Sequence, residues 1–392
     1  MPEKSIYIKN KQECCGCNAC VNICPKSCIG MVEDNSGFRY PKVDKKLCIE
    51  CGRCKKVCPF LNETKQFKPI KSYAALNRNN DERLASSSGG IFIALAGKIL
   101  SESGVVVGAV FDENWNVHHT CAEHIEEVLP MMGSKYIQSN TESTYKTVKE
   151  ALIAGRKVLY TGTPCQISGL RHYLHKDYPG LYAVEIICHG VPSYKIWNSY
   201  LVESRQKQLS NETLKHLSFR DKSSGWRTYS VSMKYSGSNV SQMHSDNDYM
   251  NAFIYDWSLR PSCYNCKFKG GLSQADITLG DFWGIENTDI PDDNKGISCV
   301  ICRTEKGQTF FESCVDISRT PVSYEQILKG NPSLEHSARL NDTSTRFHRL
   351  FPRKGFYKTK YRIEHPSIFY RAKIFSKRKL YSLFRILHIA RT

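Results

Sequence analysis

The chain has 392 residues, a length that predicts two to three domains and a sizeable buried core. Its 41% hydrophobic and 24% charged residues, with Gly 25 and Pro 15, argue against a collagen-like, mucin-like, extensively disordered or polytopic membrane chain. The informative numbers are 18 cysteines and a formal net charge of +17.

In chain order, the opening stretch MPEKSIYIKNKQECC is polar and runs straight into cysteines. It carries no basic-then-apolar leader, and no apolar run reaches the length of a spanning helix. A cytoplasmic setting is expected, where thiols stay reduced and clustered cysteines read as metal ligands before disulfides. Residues 1–66 are expected to form a small first domain, closed by Pro59 and the polar stretch 62–66. It holds Cys14-x2-Cys17-x2-Cys20-x3-Cys24-Pro25, repeated as Cys48-x2-Cys51-x2-Cys54-x3-Cys58-Pro59. Three closely spaced thiolates wrap three corners of a cubane, and the fourth, held by the Pro turn, crosses to the other cluster. Cys14, Cys17, Cys20 and Cys58 are thus assigned to one 4Fe-4S cluster, and Cys48, Cys51, Cys54 and Cys24 to a second. C-x2-C alone also suits tetrahedral zinc; two complete runs with both prolines favour the clusters. Cys15 and Cys28 are surplus and read as packing residues. The unit resembles an α+β bacterial two-cluster ferredoxin, a one-electron relay that needs a terminus elsewhere in the chain.

From Tyr73 the texture becomes α/β: a strand, the Ser-Ser-Ser-Gly-Gly turn at 86–90, a helix-spaced IFIALAGKILSE, then the apolar run Val105–Phe111. A helical stretch near Ser143–Ala154 leads into KVLYTGTPCQ, and LYAVEIICHG repeats that design. Two strand ends thereby deliver Cys165 and Cys188, where functional groups of open α/β sheets commonly sit. Residues 217–235 alternate as antiparallel strands do, and ADITLGDFWG is a strand ending in Gly-Asp. From Arg346 to Thr392 there are 14 Lys+Arg and one acid, Glu364, so this stretch carries 14 − 1 = +13 of the charge.

Thr161-Gly-Thr-Pro-Cys165-Gln166, Ile187-Cys188-His189-Gly190, Cys263-x2-Cys266, Gly280-Asp281-Phe282-Trp283-Gly284, Ser87-Ser88-Gly89-Gly90 and Gly133-Ser134-Lys135-Tyr136 together resemble the coenzyme F-420 hydrogenase/dehydrogenase beta-subunit family. The resemblance spans about residues 70–330 in matching order. It implies an α/β flavin-binding core with a mixed sheet, divided into residues 67–150 and 151–335, holding FAD and a third 4Fe-4S cluster. Cys165, Cys188, Cys263 and Cys266 supply the thiols of a cubane. The other reading makes Cys165 and Cys188 buried small hydrophobes and leaves the C-x2-C pair to zinc or nothing.

For the flavin, Ser87, Ser88, Gly89 and Gly90 open a predicted helix, where N–H groups and the dipole suit a pyrophosphate; an ordinary Ser cap is the alternative. Gly133, Ser134, Lys135 and Tyr136 would bring a cation and donors to the reduced ring. Thr161, Gly162 and Thr163 would pass close to the ring, with Gly162 permitting backbone approach. His189 is a candidate proton donor and Asp281 a candidate cofactor or substrate contact, an Asx-turn serving equally for Asp281. Arg220, Trp226 and Arg227 also match the family, without an assigned role. No G-x-G-x-x-G or Walker sequence provides a nicotinamide or hydrolysis site.

The expected function is an iron-sulfur flavoprotein oxidoreductase passing electrons between a one-electron carrier, such as a ferredoxin-like partner protein, and an organic substrate or deazaflavin coenzyme. The alternatives are a non-catalytic electron-transfer subunit and a protein whose clusters only hold the fold. Residues 336–392 read as a basic helical tail, with Leu380, Phe384 and Leu387 near helical spacing. Such a tail suits an anionic membrane surface, an acidic partner or a solvated tail with a packed helix; no recognised nucleic-acid-binding pattern supports nucleic acid.

Overall fold

A computed structural model describes residues 4–208 and 212–366. The first sheet is a hairpin of β1 (Ile29–Glu33) and β2 (Arg39–Val43), antiparallel, flanked by the short helices Ala19–Asn22 and Arg53–Lys56. The two cysteine runs fold alike. Gly16 (φ 71°) and Glu50 (φ 52°) occupy the left-handed region at one equivalent position of the repeat, and Asn18 (φ 62°) and Gly52 (φ 71°) at the other. Such conformations cost non-glycine residues strain, and here they curl each run so that its sulfurs converge.

The core is one eight-stranded mixed sheet. Its strands are β3 (Lys71–Asn77), β4 (Val105–Phe111), β5 (Val117–Ala122), β6 (Val158–Gly162), β7 (Leu181–Ile186), β11 (Ile277–Asp281), β12 (Ser298–Cys302) and β13 (Ile317–Val322). The order is β13-β3-β12-β11-β7-β6-β4-β5, with β4, β6, β7 and β11 parallel at the centre. Helices cover both faces, which is why runs such as Val105–Val107 and Val158–Tyr160 are continuously apolar rather than alternating. Ile91, Leu95 and Ile99 pack on one face and Ile167, Leu170 and Leu174 on the other. Position 150 lies inside the helix Thr144–Ile153, and strands from both sides of it share this sheet. Residues 67–150 and 151–335 are therefore one structural unit.

A second sheet of β8 (Leu214–Asp221), β9 (Ser230–Tyr235) and β10 (Asn239–Met243) is antiparallel, as the alternation predicts. It packs with the helices Tyr194–Gln208 and Asp248–Ile254 around Trp197, Phe219 and Tyr249. Phe38, at the hairpin of the first domain, is 1% exposed in this same cluster. The first domain is therefore anchored to the core by an aromatic plug.

The basic-tail expectation changes over its first half. Asp342–Glu364 is a helix kinked at Gly355 (φ 73°), and Phe347, Phe351 and Phe356 enter the aromatic cluster. The Glu203 carboxylate accepts from the Phe356 and Tyr357 N–H groups freed at the kink (2.7 and 2.9 Å). Apolar spacing, not charge, decides the fate of this segment. The Leu380, Phe384 and Leu387 stripe lies outside the described residues. Among the described residues no helix is long and apolar enough to cross a membrane.

Candidate functional site

Cys24, Cys48, Cys51 and Cys54 surround an outer recess of about 350 Å³ that Cys28 and Ile49 also line. Cys51 is exposed. The Cys54 sulfur accepts from the Ile6 N–H (3.3 Å), and Cys28 lies 3.4 Å from Cys24. Burial, then Cys24 itself, pushes the Cys28 thiol up. Cys14, Cys17, Cys20 and Cys58 form an inner set. Burial raises Cys20, and Cys17, Cys14 and Cys58 raise it further, as does Cys54 of the outer set. Cys58 is pushed up to about 12 by burial and by Cys17.

The core supplies a third set from three separate segments. Cys165 stands in the first turn of the helix Pro164–Leu174, Cys188 follows β7, Cys263 lies within the turn Pro261–Asn265 and Cys266 directly follows it. Burial raises Cys188, and Cys263, Cys165 and Cys266 all raise it further, so the four are mutual neighbours. Cys263 is pushed up to about 12 and Cys266 to about 11, burial leading in both. Cys165 is held below the ordinary thiol range, chiefly by a hydrogen bond with Cys15. Gly169 allows the close approach of this helix to the inner set, since a Cβ there would lie 2.9 Å from the Cys17 sulfur. Among the described residues no three His, Cys, Asp or Glu side chains converge tightly enough to hold one metal ion. The donor sets suit larger polynuclear groups, whose corners are spread apart.

Cys165 and Cys188 open onto a cleft of about 470 Å³ outside the C-terminal ends of β6, β7 and β11, where open α/β sheets bind ligands. Its volume falls within the 300–1,000 Å³ typical of ligand sites. The Ser87 and Gly133–Tyr136 stretches meet in it, with the Ser87 Oγ accepting from the Ser134 N–H (2.7 Å). Gly90 (φ 79°) caps the helix Ile91–Ser101. Ser88 and Gly89 turn toward the sheet, with the Ser88 Oγ on the Ile297 carbonyl and the Gly89 N–H on the Ser298 Oγ. The Lys135 Nζ donates to the carbonyls of Met131, Met132 and Gly133, and burial pushes it down to about 7.

Thr161 and Gly162 line the cleft. Gly162 packs close to Gln166, whose side-chain oxygen would lie 3.1 Å from a Cβ there. Both the N–H and the hydroxyl of Thr163 donate to the Gln166 side-chain oxygen Oε1 (2.9 and 3.1 Å), capping the helix that presents Cys165. The His189 Nε2 is 2.7 Å from Asp256 Oδ1. Burial holds His189 low and Asp256 opposes it. Asp281 forms a two-point pair with Arg220 (3.0 Å each) and accepts from the Trp226 indole (2.8 Å), which replaces the Asx-turn alternative. Arg220 stacks 3.9 Å over Tyr229, donates to the Tyr136 hydroxyl (3.3 Å), and has a buried Nε without a partner. This orphan donor and the Gly133 loop, where a Cβ would meet open space, fit an electron-rich ligand in the cleft.

Four features escaped the sequence reading. Cys15, read as packing, is a buried link between Cys17 and Cys165. Lys269 donates to the Cys188 and Ser333 carbonyls (2.5 Å each) beside the third set. Arg260 reaches the Cys14 carbonyl (2.8 Å), and His119 bonds Ser139 and the Thr161 carbonyl (2.6 and 3.0 Å). Only Arg260 had any signal, its place three residues before Cys263.

Comparison with known proteins bears on this arrangement. Residues 155–323 match the family described as the C terminus of the Coenzyme F420 hydrogenase/dehydrogenase beta subunit, and residues 13–62 match the 4Fe-4S dicluster domain. The chain is 28% identical over 182 residues to the Coenzyme F420-dependent sulfite reductase of Methanocaldococcus jannaschii, covering 46% of this chain and 28% of that protein. It thus spans less than a third of that relative's length. An uncharacterised protein of the same organism is 21% identical over 339 residues, 77% of this chain and 86% of the other. A chain in a structure of the F420-reducing NiFe hydrogenase complex of Methanosarcina barkeri overlaps with a TM-score of 0.46 at 19% identity, over 74% of this chain and 93% of that one; nothing below rests on that likeness.

Proposed function

Starting from a chain that carries a 4Fe-4S dicluster domain ahead of the C-terminal region of an F420 hydrogenase/dehydrogenase beta subunit, we propose that it is an iron-sulfur flavoprotein oxidoreductase. It would couple a one-electron carrier to a two-electron partner, an organic molecule or a deazaflavin coenzyme. The observation that carries this reading is the order of the cysteine sets. The outer set with its exposed Cys51 neighbours the inner set through Cys54 and Cys20, and the inner set neighbours the third through Cys17, Cys15 and Cys165. The third set opens on the cleft.

Each set would hold one 4Fe-4S cluster and the cleft one FAD, supplying one-electron transfer and its conversion to two-electron chemistry when bound. The chain's own residues do the rest. The outer recess is edged by the exposed Lys26, Ile49, Glu50 and Arg53, and Lys46 and Lys56, also exposed, adjoin it in the chain, a face of net positive charge suited to an acidic carrier protein. Arg220, fixed by Asp281, presents its free Nε, and the Tyr136 and Phe253 rings, 4.8 Å apart and tilted by 43°, form an aromatic wall. His189, paired with Asp256, is the cleft group placed to hold a proton.

The expected result for full chain prepared without oxygen and supplied with FAD is about one FAD released per chain on denaturation. A chain that retains no FAD while its iron is fully loaded would overturn the flavin assignment. The second reading is then a non-catalytic electron-transfer subunit. It is favoured by one observation, that the relative of M. jannaschii joins a matching segment to a protein more than three times longer than the segment.

A further inference from the structure

Arg260 is 0% exposed. Its guanidinium donates to the Cys14 carbonyl (2.8 Å), the Gln138 side-chain oxygen (3.0 Å) and the Arg39 carbonyl (2.8 Å), and its Nη2 stands 3.7 Å from the Cys14 sulfur. Tyr40 covers one face at 4.5 Å. Among the described residues no carboxylate comes within ion-pair distance of it; every acceptor is neutral except the sulfur. Arginine keeps its proton in proteins, and an uncompensated buried charge costs more than hydrogen bonds to neutral groups return. An anion therefore belongs beside it.

The sulfurs around Arg260 identify that anion. The Cys14 sulfur lies against Nη2, and the same guanidinium holds the Cys14 carbonyl through Nε. Cys14 belongs to the inner set of the first domain, whereas Cys165 and Cys263 belong to the third set in the core. The Arg260 carbonyl also accepts from the Cys263 N–H (2.8 Å), so one residue is bonded to both sets. On the opposite side, Gly16 leaves the room the guanidinium occupies, since a Cβ there would lie 3.0 Å from Nη1. Lys269 is a different case, bonded at the third set alone.

We propose that Arg260 is a shared counter-cation of the inner and third cysteine sets, a positioning residue that sets the reduction potentials of both clusters together and leaves the outer one untouched. This rests on the reading that both sets hold 4Fe-4S clusters. A cluster on four thiolates is net anionic and gains one further negative charge on reduction, so a fixed cation favours the reduced form. The outer set lacks this contact.

The test is a redox titration of the full anaerobic chain followed by electron paramagnetic resonance, comparing wild type with Arg260→Met, Arg260→Lys and Lys269→Met. In Arg260→Met the reduced-to-oxidised ratio at fixed potential should fall about tenfold for the inner and third clusters, about 59 mV each, with the outer cluster unchanged. Arg260→Lys, which keeps the charge but not the fork, should move the same two in the same direction by less. Lys269→Met should move the third alone. If Arg260→Met does not assemble, Arg260→Lys decides by whether the two potentials move as a pair. Three loaded clusters with neither potential shifted, or with only one shifted, would overturn the proposal by itself. A wild-type chain with only two reducible clusters would overturn the underlying reading as well.

Discussion

The two halves of the first domain carry the same cysteine spacing and the same left-handed positions, yet one faces solvent and the other faces the core. Around Cys48–Cys54 the neighbours are the exposed Ile49, Glu50 and Arg53. Around Cys14–Cys20 they are Gln138, Thr141 and Arg260, whose side chains donate to the Cys15, Cys17 and Cys14 carbonyls. Ligand spacing is a local property, fixed by the loop's own backbone. Whether a loop becomes an entry point or a buried link is set by what the rest of the chain places against it.

The comparison is tested most strongly at the plug. Phe38→Ala should destabilise the loaded protein by about 3–5 kcal/mol, whereas Ile49→Ala, at a side 58% exposed, should stay within about 0.5 kcal/mol; urea midpoints measure both. Equal losses would mean that the two faces are not distinguished by burial.

Acid should also act from the core side. Burial pushes His348, which bonds the Leu259 carbonyl (2.9 Å), down to about 4. Its folded value lies below the unfolded one of about 6.5. Its share of stability, up to about 3 kcal/mol, is therefore complete above pH ~6.5 and lost as pH falls toward ~4. His348→Gln should flatten that part of the melting-temperature profile and leave the part due to His119, also pushed down to about 4 by burial.

Backbone strain gives a smaller contrast. Gly52→Ala meets only the Lys4 carbonyl at 4.0 Å, so it should cost the left-handed penalty alone, about 1–2 kcal/mol. Gly16→Ala must also displace Gln138 and Arg260 and should cost measurably more in the same denaturation experiment. The smallest effect on stability belongs to the rim: Lys46→Glu with Lys56→Glu should leave the urea midpoint within about 0.5 kcal/mol. It should nonetheless slow reduction by an acidic carrier several-fold at low salt, the difference fading as salt rises.

Legibility in the sequence follows the same division. Eight cysteines could be grouped from spacing because their geometry is local, and β6 and β7 could be read from buried apolar runs followed by turns. Cys263 and Cys266 joined the strand-end pair only through family resemblance, since no local pattern brings segments about 75 residues apart together. Arg260 had only its place three residues before Cys263 as a signal, and Lys269 and Asp256 had none, because a lone charged residue acquires meaning from its tertiary neighbours. The helical reading of the tail holds at 342–364, and what its charge count obscured is the Phe347 and Phe351 spacing, an i, i+4 stripe that packs. The division at 150 separates two stretches of motif inside one sheet and coincides with no break in that sheet.

Iron and acid-labile sulfide per full chain, prepared without oxygen, test the central claim most directly, with Cys263→Ala measured beside wild type. Three cysteine sets predict about 12 irons in wild type and about 8 in the variant. About 8 irons in both would contradict the account, leaving the first domain loaded and the third set without a cluster.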